Sequence, residues 1–194
     1  QQPWSNGKVG MIGGSYLGFS QWAATKKLHP ALKTIIPQAP VGIGIDYPMS
    51  GNVFMSYMLR WIDHVTVNKL TDNAGFSNEK KWNDLYKKWY TSGMAFNNLD
   101  SINGKKSEIF QRWLKHPSYD AYWQSMTPDP KEYSKINIPI LTTTGYFDDD
   151  QLGAMYYYKN HIKYNPNMDH YLVIGPYDHY GPQGYITSEV MGVK

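Results

Sequence analysis

Short apolar runs that end at glycine or proline predict four β-strands along this 194-residue chain. The four runs cover residues 8–12, 32–36, 138–144 and 171–174. The last three are rich in β-branched residues, which favour extended backbone. Helices are predicted between the first two runs and between the last two. Strands that alternate with helices in this way favour an α/β fold with an open parallel sheet.

Residues 48–129 follow a different pattern, in which large apolar side chains recur with the period of a helix. The positions at helical spacing are Trp82, Leu85, Tyr86 and Trp89, and then Phe110, Trp113 and Leu114. We interpret 48–129 as a helical insertion that caps the active site, between the two parts of a sheet domain at 1–47 and 130–194. Most of its aromatic residues are expected to form its own core, and a minority to line a substrate pocket.

The first predicted strand ends at a serine that glycines flank on both sides. Gly13 and Gly14 precede Ser15, and Gly18 follows it within the next helix. Such a corner is typical of a nucleophile elbow, which projects a serine hydroxyl between a strand and a helix. The pattern is G-x-S-x-x-G, because Leu17 occupies the position of the last glycine in the usual G-x-S-x-G. Glycine-rich turns of this kind also bind phosphate or simply reverse the chain.

Ionisable residues follow the last two predicted strands. Asp148, Asp149 and Asp150 follow the third, and His179 follows the fourth. Because the carboxyl ends of parallel strands meet at one edge of a sheet, we expect these groups to converge with Ser15. A serine nucleophile, an imidazole base and an orienting carboxylate form a catalytic triad, and Ser…Asp…His is its order in α/β-hydrolases. Asp149 and Asp150 are alternatives to Asp148, or caps of the next helix.

The same acidic residues allow a metal-site interpretation, although no recognised ligand spacing supports it. The candidate ligands are Asp148, Asp149, Asp150, Asp178 and His179. We expect no metal and no cofactor. Asp178 adjoins His179 in sequence, and adjacent residues of a loop rarely direct their side chains at each other.

Three motifs together resemble one group of α/β-hydrolases. They lie at residues 13–18, 145–148 and 175–179 and resemble G-x-S-Y-x-G, G-W-Y-D and G-P-W-x-H. The group contains the X-Pro dipeptidyl-peptidases, cocaine esterase, the α-amino acid ester hydrolases and the glutaryl-cephalosporin acylases. Two motifs depart from the usual form, at Tyr146-Phe147 and at Tyr177, with one aromatic residue in place of another.

The resemblance implies a role for each motif residue. Ser15 would be the nucleophile, Asp148 the acid and His179 the base, and the backbone N–H of Tyr16 would be one oxyanion donor. A second donor, a tyrosine hydroxyl well before the elbow, has no counterpart in this chain. We therefore expect a central fragment of a larger enzyme, with an α/β-hydrolase sheet that lacks its N-terminal strands. The unpaired edge of such a sheet would allow homo-oligomers, and the isolated fragment is expected to be inactive.

Composition and charge limit the kinds of partner that the chain is expected to bind. The net charge is +3 without a long basic block, so nucleic acid is not an expected partner, and no apolar run is long enough for a membrane span. The absence of cysteine excludes disulfides. Location stays open from the sequence, and the resemblance favours a secreted or periplasmic protein.

The expected function is serine hydrolysis of an ester or amide through an acyl-enzyme. The substrate would be a small molecule or short peptide, with α-amino acyl and glutaryl groups, including β-lactam side chains, as candidates. Only Arg60 and Arg112 offer a guanidinium for a glutaryl carboxylate. The alternative is a binding module on a hydrolase scaffold.

Overall fold

The computed structural model describes residues 2–184. Residues 1 and 185–194, which belong to the predicted sheet domain, lie outside the described part. The chain divides into two compact units. The sheet unit comprises Gln1–Tyr47 and Tyr119–Lys194, and the helical unit comprises Pro48–Ser118. Among the described helices, none has the length and apolar character needed to cross a bilayer.

Strands and helices alternate at both ends of the chain, and short helices dominate its middle. In chain order the elements are β1 (Val9–Ser15), α1 (Tyr16–Thr25), β2 (Leu32–Pro40), β3 (Met49–Ser50), β4 (Val53–Phe54), α2 (Tyr57–Thr66), α3 (Asn73–Phe76), α4 (Glu79–Ser92), α5 (Leu99–Ile102), α6 (Glu108–Leu114), α7 (Ala121–Gln124), α8 (Pro130–Tyr133), β5 (Ile140–Gly145), α9 (Gln151–Tyr164) and β6 (His170–Gly175). Short 3₁₀ turns cover Phe96–Asn98 and Gly181–Gln183.

The sheet unit contains a four-stranded parallel sheet with the order β1-β2-β5-β6. Its core lies on the face that α1 and α9 cover, where the Trp22 ring stacks on Tyr157 with centroids 5.1 Å apart. These two rings pack over Ile35 and Ile140, which are paired in register on neighbouring strands. The predicted α/β-hydrolase fold, present in part, is thus confirmed, and it brings the carboxyl ends of all four strands to one edge.

The opposite face of the sheet is more open in the described part of the chain. Ile12, Tyr171 and Val173 are 66%, 62% and 47% exposed there. The turn at Gly181–Gln183 lies against this face, where the Pro182 carbonyl accepts hydrogen bonds from side chains of β2 and β5. The turn at Gly181–Gln183 is therefore fixed to the sheet.

The helical unit confirms the predicted periodicity. In α4 the buried residues are Trp82 and Leu85, and in α6 the buried residue is Phe110. That the helical unit caps the active site stays a prediction.

The boundary of this unit differs from the expected residue 129. Residues 119–129 belong to the sheet unit, because the Tyr119 hydroxyl bonds to that of Tyr156 at 3.0 Å. In addition, the fully buried Trp123 packs so tightly on Gly44 that a Cβ there would lie 2.6 Å from its side chain.

Candidate active site

Ser15 occupies a sharp turn between β1 and α1. Its backbone has φ 58° and ψ −124°, a region that residues with a Cβ rarely adopt. Although Ser15 is the N-cap residue of α1, its side chain makes no capping hydrogen bond. The helix therefore leaves the hydroxyl available for other chemistry, as a nucleophile elbow requires.

Two glycines allow close approaches around this turn. A Cβ at Gly18 would lie 2.8 Å from Cα of Pro40, so glycine lets α1 pack directly on the end of β2. A Cβ at Gly14 would lie 2.2 Å from the side-chain amide of Gln183. Gln183 therefore packs on the backbone beside Ser15.

Asp148 and His179 form a direct pair at the same edge of the sheet. Nδ1 of His179 lies 2.9 Å from Oδ1 of Asp148, whose side chain is completely buried. A carboxylate only accepts hydrogen bonds, so in the neutral imidazole Nδ1 carries the proton and Nε2 keeps a free lone pair. This tautomer suits a general base.

Further donors fix the Asp148 carboxylate. The Thr144 hydroxyl donates to Oδ2 at 2.8 Å, and the backbone N–H of Asp150 donates to Oδ1 at 3.0 Å. With His179, the carboxylate therefore accepts from three groups that hold its orientation. Thr144 carries no catalytic signal in the sequence, because its role depends on the turn that follows β5.

The surroundings of His179 favour its protonated form. Burial would lower its pKa, but the hydrogen bond to Asp148 and the charge of Asp150 raise it above the ordinary value of 6.5. Oδ2 of Asp150 lies 3.6 Å from Nδ1 of the imidazole. A second carboxyl group thus acts electrostatically on the base.

Two carboxyl groups near this pair have strongly raised pKa values. Burial and the charge of Asp148, opposed by the attraction of His179, raise the pKa of Asp150 to about 7. Burial, followed by the charge of Asp150, raises the pKa of Asp46 to about 8, although Asp46 accepts bonds from the N–H groups of Gly153 and Gly42. These groups resist carrying two negative charges at neutral pH.

Two roles are predicted for Asp150 from the sequence, and the structure changes one of them. Asp150 is at the N-cap position of α9 but makes no side-chain capping bond, so the expected cap is wrong; its carboxyl group lies beside His179 instead. Asp46 was missed altogether, because it comes from the loop after β2, and only the fold brings it near the others.

The remaining candidates lie where the sequence suggested. Tyr16 is the first residue of α1, where a backbone N–H has no partner within the helix. Asp178 accepts from the N–H groups of Tyr180 and Gly181, so it shapes the turn after His179.

The metal interpretation has a limited basis within residues 2–184. Ligand atoms of Asp148, Asp149 and His179 lie within 4.8 Å of one another. However, Nδ1 of His179 already bonds to Asp148. A metal bound at Nδ1 would have to replace the proton of that bond, and no other observation within residues 2–184 points to a metal.

The sheet order, the strained serine and the histidine–aspartate pair define the class of α/β-hydrolases, and solved structures agree. An aminopeptidase from a marine sediment Thaumarchaeota archaeon matches 98% of this chain and 33% of its own, with 27% identity and a TM-score of 0.66. An α-amino acid ester hydrolase matches 93% of this chain and 30% of its own, with 25% identity and a TM-score of 0.69.

Within that class, the chain belongs to the X-Pro dipeptidyl-peptidase (S15) family, whose sequence model matches residues 1–181. Cocaine esterase from Rhodococcus sp. (strain MB1 Bresler) is 24% identical over an alignment of 205 positions, which covers 100% of this chain and 35% of the esterase. The resemblance inferred from the motifs is confirmed. The chain spans about a third of the length of these relatives.

Proposed function

We propose that Ser15, His179 and Asp148 form the catalytic triad of a serine hydrolase that cleaves esters or amides through an acyl-enzyme. The observation that carries this proposal is the 2.9 Å bond between His179 and Asp148, at the sheet edge where the strained turn presents Ser15. Membership of a family of esterase- and peptidase-type hydrolases supports it.

The arrangement of these groups supports the following steps. The Ser15 oxygen attacks the substrate carbonyl while Nε2 of His179 takes the hydroxyl proton, and the N–H of Tyr16 donates to the oxyanion. The tetrahedral intermediate then breaks its bond to the leaving group, which takes the proton from Nε2. Water repeats the sequence on the acyl-enzyme and releases the acid and the free serine. Asp148 holds the Nδ1 proton and stabilises the imidazolium.

The substrate proposed is an ester or amide of an α-amino acid, or a short peptide, with a free ammonium group. Asp150 and Asp46 supply buried carboxyl groups whose raised pKa values a bound cation would lower again. Asp150 is the one that a ligand would contact, because its side chain is 14% exposed and both oxygens of Asp46 bond to backbone. The aminopeptidase and the α-amino acid ester hydrolase that this chain is similar to have names that agree with this class.

A glutaryl substrate is less favoured by the same charges. Its carboxylate would gain no attraction from Asp150 and Asp46, which are either neutral or of the same sign. Arg60, one candidate for binding such a group, donates to Glu79 and to the Phe76 carbonyl within the helical unit.

The test is covalent labelling of the intact protein with a fluorophosphonate, followed by mass spectrometry of the adduct. We expect label on Ser15 and none in Ser15→Ala. Absence of label in the folded wild-type protein would refute the triad and favour the binding module.

A second experiment tests the substrate class. It compares the hydrolysis of two aryl esters of the same α-amino acid, one with a free amino group and one N-acetylated. Asp150→Asn is expected to remove the preference for the free amino ester, and an unchanged preference would refute the substrate class.

A further inference from the structure

Gln21, in the second turn of α1, connects backbone groups on both sides of the serine turn. Its side chain is buried, with the residue 1% exposed. Nε2 donates to the carbonyl oxygens of Gly13 and Leu17, both at 3.1 Å. Oε1 accepts from the N–H of Ile36 in β2 at 2.9 Å. A helix residue therefore joins the end of β1, the start of α1 and the neighbouring strand.

The three partners match a primary amide. Two carbonyls need two N–H donors and one N–H needs an acceptor, and the glutamine side chain offers this set from one position. The bond to Gly13 reaches β1 from α1, a helix, and so lies outside the ladder that joins β1 to β2. The Gln21 amide therefore ties the end of β1 to α1 independently of the strand pairing.

The two bonded carbonyls bracket the reactive residue. Gly13 lies two residues before Ser15, and Leu17 lies two residues after it. A residue in an unfavourable φ/ψ region keeps that conformation only when its surroundings hold it there. The Ser15 carbonyl is also held, by the N–H of Val41 at 3.2 Å. The amide of Gln21 fixes the backbone on either side of the strained position.

We propose that Gln21 is a positioning residue, which keeps the Ser15 hydroxyl and the Tyr16 N–H in the geometry needed for attack. This inference rests on the proposed function. Gln21 acts through the backbone and touches no substrate. Small displacements of reacting groups cost as much as about 100-fold in rate, so its loss affects the chemical step more than substrate binding.

The experiment compares fluorophosphonate labelling rates and thermal unfolding of the intact protein and three variants. Gln21→Met keeps the volume and removes all three bonds. Gln21→Glu keeps the shape, but its ionised form cannot donate to the two carbonyls. Thr25→Val is the matched control, because it removes another buried hydrogen bond of α1, from Thr25 to the Trp22 carbonyl at 2.7 Å, away from the turn.

We expect folded Gln21→Met to be labelled about 10- to 100-fold more slowly than wild type, with the loss in kcat for an ester substrate and little change in KM. Thr25→Val is expected to lose stability but to be labelled at the wild-type rate. If Gln21→Met does not fold, Gln21→Glu decides. Its rate relative to wild type is expected to fall as the pH rises, because only the protonated side chain donates a hydrogen bond.

Two results would overturn the proposal. The first is a folded Gln21→Met that is labelled as fast as Thr25→Val, which would make Gln21 purely structural. The second is a Gln21→Glu whose relative rate does not change with pH. Failure of the proposed function looks different, because then wild type itself takes no label at Ser15.

Discussion

Replacing Ser15 by glycine is expected to stabilise the folded chain while it abolishes the reaction. At φ 58° and ψ −124° a Cβ is strained, and such strain costs of order 1–3 kcal/mol. Glycine has no Cβ and removes this cost, but its flexible unfolded state offsets about 0.4–1 kcal/mol of the gain. Ser15→Ala keeps the strain and also lacks the hydroxyl. We therefore expect Ser15→Gly to be more stable than Ser15→Ala by about 1 kcal/mol.

Urea denaturation of the two variants measures this difference through the transition midpoints at equal slope. Ser20 provides the control, because it lies inside α1 in ordinary helical backbone. There the order reverses, and Ser20→Gly is expected to be less stable than Ser20→Ala by about 1 kcal/mol. Both Ser15 variants should take no fluorophosphonate. An alanine variant at Ser15 as stable as the glycine variant would show that the turn is not strained in solution.

Three further predictions concern the groups around this turn. Asp150→Asn removes a charge that raises the pKa of His179, and His179 must be neutral to accept a proton. The acid limb of the pH profile of the labelling rate is therefore expected to move to lower pH. An acid limb that does not move would exclude this coupling. Thr144→Val removes a buried donor to the Asp148 carboxylate, so urea denaturation should show a loss of about 1.5–3 kcal/mol, whereas a neutral effect would mean that the carboxylate finds another donor. Gly18→Ala forces α1 away from β2 and should lower stability by about 1–3 kcal/mol, in thermal unfolding; an unchanged midpoint would contradict the close packing.

The elements that a local pattern specifies were predictable from the sequence. The glycines around Ser15 and the change from strand to helix period at Tyr16 lie within one short segment. The pairing of Asp148 with His179 was also accessible, because both follow β-branched runs and parallel strands share an edge.

Contacts between distant segments were not accessible in this way. Asp46 lies in the loop that follows β2 and comes near Asp150 only when α9 packs beside this loop. The bond from the N–H of Gly153, in α9, to the Asp46 carboxylate shows this packing. The strand predicted to end at Ile36 continues as β2 to Pro40, although proline seldom lies within a sheet. Gln21, which lies outside the strand, bonds to the backbone of Gly13 in β1 and of Ile36 in β2. The sequence pattern of a strand carries no information about such a side chain.

The sheet order has a consequence for how the chain folds. Ser15 belongs to one local strand–helix–strand segment, β1-α1-β2, whereas Asp148 lies within another, β5-α9-β6, and His179 directly follows it. The pairing that joins the two segments, Ile35 with Ile140, spans about 100 residues of chain. Closing so long a loop is entropically costly, so we expect these contacts to form late in folding. The proposed nucleophile and its base would then be assembled separately, and catalytic competence would arise only when the two halves of the sheet join.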